Sequence, residues 1–335
     1  MIEGGRTAEQ TRARYPDREG LVERDGVHVH YEQYGDGTPV ILLLPTWTIV
    51  HSRMCKAQIP YLSRHARVVT FDPRGNGKSD RPKEPALYDE REFALDACAV
   101  LDALEVQTAC VVGHSMGAQR ALVLAADHPE RVSGAVFIAP AVPLGPQSER
   151  AHAIARFDEE LPAYDGWHKY NRRYWSEHYA DFVEFFFAQV YSEPHSTKQI
   201  EDAIGYALDT DAETLAASAC GPALDESEVR RLAAKVRCPT LVVHGSDDRV
   251  RTPESGRLLA ELLHGRFVLL DGSGHSPHAR DPVKLNMLIR EFACAAPPVA
   301  RPRTRSAGRR ALFISSPIGL GHAQRDVAIA DELRK

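Results

Sequence analysis

Short apolar runs alternate with helix-spaced segments along most of this chain. Residues 21–34 alternate apolar and polar positions, with Val27, Val29 and Tyr31 on one face and Asp25-Gly26 as a turn. That pattern predicts an antiparallel hairpin at the edge of a sheet. Six further runs, at 40–44, 67–71, 108–112, 132–138, 239–243 and 267–270, are apolar almost throughout and predict buried strands. The spacing of Phe93, Ala97, Val100, Leu101 and Leu104 predicts a helix over 90–104, and that of Val283, Leu285, Leu288, Ile289 and Phe292 a helix over 282–294. Shorter helices are expected over 54–62, 116–126 and 258–263. Two hairpin arms and six runs, with helices between them, predict an α/β fold: a mostly parallel eight-stranded sheet flanked by helices.

Residues 143–222 break this rhythm and are expected to form a helical cap inserted between two core strands. Of the 11 Phe, 3 Trp and 11 Tyr residues, ten fall within 167–191. Such a cluster serves as the cap's own core or as an apolar roof over a bound molecule, and some of each is expected. Ser196-Thr197-Lys198-Gln199 fits a capping box that opens a helix over 198–208, and His195 reads as a residue of that helix start.

The candidate chemistry sits at the ends of three predicted strands. Gly113, Ser115 and Gly117 fill a G-x-S-x-G pattern between the run at 108–112 and the helix at 116–126. A serine there lies on a sharp strand-to-helix turn, and the small flanking residues let the backbones cross closely. The turn lifts the hydroxyl out of the sheet and puts the Met116 amide, at the helix N-terminus, near a developing oxyanion. The run at 239–243 leads into Gly245-Ser246-Asp247-Asp248, and the run at 267–270 leads into a glycine-flanked His275. His278 lies three residues past that turn and His114 fills the variable place of the serine pattern. A hydroxyl, an imidazole and a carboxylate are the groups of nucleophilic acyl transfer.

In the order Ser, Asp, His, these segments resemble the α/β-hydrolase superfamily, specifically its esterase- and lipase-like serine hydrolases with a helical cap, over about residues 20–294. The resemblance implies Ser115 as nucleophile, His275 as base and then acid, and Asp248 as the orienting carboxylate. The family's G-x-x-D, begun at Gly245, selects Asp248 over its rival Asp247. Relatives carry His-Gly after the strand at 40–44, where this chain has Pro45-Thr46; by position Trp47 then gives the first oxyanion-hole amide and Met116 the second. The residues from Asp72 to Ser79 match the superfamily's structural D-x-R-G-x-G-x-S loop. They do not form a phosphate loop, because Asp72 stands where that motif needs glycine. Serine at the turn excludes the dehalogenase and epoxide-hydrolase branches, which use aspartate. The implied reaction is hydrolysis of a small apolar ester, lactone or thioester through an acyl-enzyme, with no metal and no organic cofactor. An acyltransferase or a C–C hydrolase could use the same triad, and a non-catalytic ligand-binding module could keep it.

Composition alters little in this picture until the C-terminal end. The chain has 335 residues, 43% hydrophobic and 26% charged, with a formal charge of −5, which gives no reason to expect nucleic acid or an anionic membrane as partner. Six dispersed cysteines with no CxxC pair argue against a disulfide framework or zinc site and fit a cytoplasmic protein. The expected organisation is a polar leader over 1–20, hydrolase core over 21–142 and 223–294, and the cap between. Residues 295–310 hold three prolines and five arginines and read as a linker. Residues 311–335 weakly resemble the opening of a two-Rossmann-domain glycosyltransferase, the expected start of a second, fused domain. Charge divides at the same place: residues 295–335 carry +5 and the rest −10. Nothing in the residues bears on oligomeric state.

Overall fold

The computed structural model describes residues 13–146 and 149–294. The expected linker at 295–310 and second domain at 311–335 lie outside the described residues. Eight strands form one sheet: β1 (Arg18–Arg24), β2 (Val27–Tyr34), β3 (Val40–Leu44), β4 (Arg67–Phe71), β5 (Ala109–His114), β6 (Val132–Ile138), β7 (Thr240–Gly245) and β8 (Arg266–Leu270), in the order β1-β2-β4-β3-β5-β6-β7-β8. β1 and β2 pair antiparallel through the turn at Asp25-Gly26, β2 meets β4 antiparallel, and every other pairing is parallel. The first strand begins inside the stretch read as a polar leader. Arg18, Glu19 and Gly20 pair with Gln33, Glu32 and Tyr31, as an outer strand with one wet face allows.

The period of two along the strands divides the core. Leu42, Val111, Phe137 and Val242 face α2 (Glu90–Ala103) and α3 (Met116–Asp127). Ile41, Val112, Val136 and Leu241 face the other side, against Leu285 and Ile289 of α11 (Pro282–Ala293) and the short α1 (Ile59–Leu62). Burying a side chain of this size contributes roughly 1.5–3 kcal/mol, so both faces hold the sheet flat against its helices. The helix expected over 54–62 divides into a 3-10 turn at Ser52–Cys55 and α1. Pro60 lacks the N–H that a continuous helix would need, and it sits in the first turn of the second piece.

Between β6 and β7 the chain leaves the sheet as α4 (Glu149–Ala155), α5 (Arg172–Val190), α6 (Thr197–Ala207) and α7 (Ala212–Ala219), then returns through α8 (Glu226–Ala233). Trp175 and Phe182 are fully buried in a cluster of their own with Tyr170 and Phe186, which Trp47 joins from the β3 loop. The capping box is not formed. Ser196 is the residue before α6, but its hydroxyl donates backwards to the Glu193 carbonyl oxygen at 2.7 Å, and no side chain caps the helix. His195 is exposed and lies outside the chamber described below. Among the described residues, no helix is long and apolar enough to cross a membrane.

Candidate active site

Parallel strands deliver their carboxyl ends to one edge of the sheet, where α/β folds place their ligands. β3 ends at Pro45-Thr46-Trp47, β5 at Ser115, β7 in the Asp247-Asp248 turn and β8 in the turn to His275. α9 (Pro253–Leu262) separates the last two. Ser115 has φ 55° and ψ −116°, a left-handed conformation costly for a residue with a Cβ. The surroundings enforce it. A Cβ on Gly113 would collide with the Gly117 carbonyl oxygen, and one on Gly117 would come within 2.8 Å of the Pro45 carbonyl oxygen. The Ser115 amide donates to Ile138 at 2.9 Å and its carbonyl accepts from Ala141 at 3.1 Å, so the turn is fixed from both sides.

The three residues form one line. Ser115 Oγ is 3.0 Å from His275 Nε2, and His275 Nδ1 is 2.7 Å from Asp248 Oδ2. Asp248 is buried to its tip, whereas Asp247 is exposed and accepts from the Ser246 hydroxyl at 2.7 Å. Asp248 takes more donors than a triad needs. His244 Nε2 lies 3.0 Å from the same Oδ2, and the amides of Val250 and Arg251 donate to Oδ1 at 2.8 and 2.9 Å. Burial alone would raise this carboxyl, but His275, His244 and the hydrogen bonds outweigh it and hold it well below the usual carboxylate range. His244 and His275 are thereby set with Nε2–H and Nδ1–H toward Asp248. That leaves His275 Nε2 as the acceptor facing the serine.

His278 does not reach Ser115. It is buried beside His114, ring centroids 4.4 Å apart, with both ring nitrogens unpartnered. Burial, reinforced by repulsion from His275, pushes its pKa down to about 3. His114, held neutral by burial, supports the neighbouring backbone through Nε2, 2.8 Å from the His275 carbonyl oxygen.

The β3 loop departs from the His-Gly pattern and has its own support. The Arg120 guanidinium, on α3, donates to the Pro45 carbonyl at 3.0 Å and also to the Thr46 carbonyl. It pairs with Glu90 at 3.0 Å, the two side chains 2% and 3% exposed. Removing one member of such a pair strands a buried charge. Arg120→Met is therefore expected to lower stability by about 3–5 kcal/mol in urea denaturation, and Glu90→Gln added to it should recover most of the loss. Trp47 is held by its ring, 5.3 Å from Phe186 and 5.7 Å from Tyr170, and its Nε1 donates to Ser218 at 3.1 Å. Among the described residues, the backbone amides of Trp47 and Met116 make no hydrogen bond. The Thr46 hydroxyl is buried without a partner.

Above Ser115 and His275 lies a chamber with a cavity volume of about 40 Å³, walled by Trp47, Val50, Phe186, Phe187, Tyr191 and Arg150. Of the ten cap aromatics, three line it; Trp175 and Phe182 are spent on the cap's own core. A serine, imidazole and buried carboxylate in series beneath such a chamber can move one proton from hydroxyl to imidazole while the oxygen attacks a bound carbonyl. Glu19, His30 and Glu32 bring three ligand-type atoms within 4.8 Å of one another, but on the outer hairpin, where Glu19 also pairs with Lys78 at 2.8 Å.

Comparison with known proteins agrees with this architecture. The family described as alpha/beta hydrolase fold matches residues 39–282. Serine hydrolase BPHL of Homo sapiens is 28% identical over 276 residues, covering 80% of this chain and 84% of its own. 3-Oxoadipate enol-lactonase 1 of Acinetobacter baylyi is 29% identical over 243 residues, covering 71% and 83%. Among solved structures, the enol-lactonase from Burkholderia xenovorans LB400 superimposes with a TM-score of 0.69 at 23% identity, covering 82% of this chain and all of that one. With this sheet order, this turn at Ser115 and a family match across most of its length, the chain belongs to the alpha/beta hydrolase fold family and is a hydrolase.

Proposed function

We propose that the protein hydrolyses small carboxylic esters, lactones or thioesters through an acyl-enzyme on Ser115. The observation that carries the reading is the continuous line Ser115 Oγ to His275 Nε2 to Asp248 Oδ2 at the floor of a mainly apolar chamber. Ser115 Oγ bonds to the substrate carbonyl carbon while its proton passes to His275 Nε2. The tetrahedral oxyanion takes hydrogen bonds from the Met116 and Trp47 amides. His275 then gives the proton to the leaving oxygen or sulfur as that bond breaks, which leaves the acyl group on Ser115. Water, deprotonated by the same nitrogen, attacks the acyl carbon; the Ser115 Oγ–carbon bond breaks and the proton returns to the serine. Asp248 keeps His275 in the needed tautomer and stabilises its charged form. The role of Trp47 is divided: its amide serves the oxyanion while its ring is part of the roof.

The relatives support a serine-dependent hydrolase that acts on an ester or lactone, since they include an enol-lactonase and a serine hydrolase. The test is a p-nitrophenyl ester series of increasing acyl length, with fluorophosphonate labelling of the same preparation. Multiple turnovers with a short-chain optimum are expected, because Trp47, Phe186, Phe187 and Tyr191 crowd the space over Ser115 and leave a cavity of only about 40 Å³. Absence of turnover on every ester together with an unlabelled Ser115 would overturn the reading.

A further inference from the structure

Two arginines, Arg150 in the chamber wall and Arg251 in the wall of the cavity beside it, form no ion pair among the described residues. Arg150, on α4, is 5% exposed and its Nε has no hydrogen-bond partner. Its guanidinium carbon lies 5.8 Å from the Trp47 ring centroid and 5.5 Å from that of Tyr170, whose hydroxyl oxygen accepts from it. Arg251, three residues past Asp248, is partly buried and its Nε is likewise unpartnered. Of the acids nearby, Glu90 pairs with Arg120 at 3.0 Å and Glu226 with Arg230 at 2.8 Å; Asp248 takes hydrogen bonds from His275 and His244, and its charge favours both arginine cations without forming an ion pair with either.

The position of these cations matters as much as their lack of partners. Arg150 is in the wall of the Ser115 chamber and also in that of a neighbouring cavity of about 310 Å³, which Arg251, Gln119 and Ser218 line with it. Trp47 and Met116 border both spaces. Burial and then repulsion from Arg150 push Arg251 down to about 10, which leaves it a cation at neutral pH. Holding a charge out of water costs several kcal/mol unless a partner of opposite sign arrives. A guanidinium fork matches a carboxylate in shape as well as charge.

We infer that the substrate is an ester or lactone that also bears a carboxylate, which Arg150 and Arg251 hold while the scissile carbonyl lies at Ser115. The inference rests on the hydrolytic reading of Ser115 and narrows its substrate class. The apolar walls take the carbon skeleton between the two polar ends. A neutral ester of the same size leaves both guanidinium groups unpaired, so discrimination falls on the missing charge.

The test compares acids with their neutral esters on each side of the scissile bond: monomethyl glutarate against dimethyl glutarate, and 4-acetoxybenzoate against its methyl ester. In the parent enzyme, kcat/KM for at least one acid should exceed that of its neutral partner by about tenfold or more. Arg150→Met should lower that ratio at least tenfold, mainly through KM, and Arg150→Lys should recover part of it. Arg251→Met, at a less buried position, reads the same ratio if Arg150→Met does not fold. Preference for the neutral member of both pairs, or ratios that neither arginine substitution moves, would overturn the inference. Calorimetric titration of Ser115→Ala with glutarate and with benzoate separates this from the chemistry. Binding that is lost in Ser115→Ala/Arg150→Met supports the arginine site even if no ester is turned over. Turnover without acid preference retains the hydrolase and removes the site.

Discussion

Replacing Ser115 by alanine is expected to lower kcat for ester hydrolysis by about 10⁶-fold and to abolish fluorophosphonate labelling, while the protein remains folded. The size of the effect follows from what is lost. Without Oγ no acyl-enzyme forms, and the remaining donors and chamber can only hold a substrate beside a base. Alanine is a fair replacement because it inherits the same backbone. Ser115 has φ 55° and ψ −116°, and alanine meets the same strain there. Ser115→Gly therefore adds a second reading. It should be as inactive as Ser115→Ala but more stable by about 1–2 kcal/mol, since glycine occupies this region without a Cβ clash. Thermal or urea unfolding of the two inactive proteins measures the strain stored at the turn apart from the chemistry. Equal stabilities would mean that the strain relieved is no larger than the roughly 0.5–1 kcal/mol of chain entropy that glycine loses on folding; near-parental activity in Ser115→Ala would remove the serine from the mechanism.

Asp248→Asn is expected to lower kcat by about 10⁴-fold with a smaller effect on KM. Both oxygens of Asp248 accept. Oδ1 takes the amides of Val250 and Arg251, and Oδ2 takes both His275 Nδ1 and His244 Nε2. An asparagine must keep its oxygen on the two backbone amides, so its NH₂ faces two imidazoles that were donating. His275 answers by moving its proton to Nε2. That nitrogen then points a hydrogen at Ser115 and cannot accept one. Asp247→Asn is the matched control: that side chain is exposed and touches neither histidine, so activity should stay within about twofold, as for most surface substitutions. Rates of p-nitrophenyl acetate hydrolysis under saturating conditions distinguish the two, and equal losses would assign the orienting role elsewhere.

Sequence by itself determined the frame and the line of three residues. An alternating hairpin, six nearly continuous apolar runs, a serine between glycines at a strand-to-helix junction, and an acid and a histidine just past two later strands are all properties of contiguous residues. Parallel strands in one sheet bring such ends to a common edge, and the resemblance to the hydrolase G-x-x-D pattern selects Asp248 over Asp247, so Ser115, Asp248 and His275 could be grouped before any coordinates were known. Where local signals compete, contiguity was less informative. Ser196 had the residues of a capping box, but its hydroxyl turned to Glu193, and Pro60 split a segment that read as one helix.

What only the tertiary structure decided is which distant side chains meet around that line. His244 shares the Asp248 carboxylate across the end of β7. His114 supports His275 from 161 residues away, and Arg120 reaches 75 residues back to hold the Pro45 carbonyl. Arg150 on α4 lies over Trp47 from the β3 loop. None of these contacts leaves a trace in hydrophobic periodicity, because each depends on where two separately formed elements cross. A buried arginine and an exposed one look alike in a sequence. Only the packing shows that Arg120 has Glu90 as its partner and that Arg150 and Arg251 form no ion pair among the described residues.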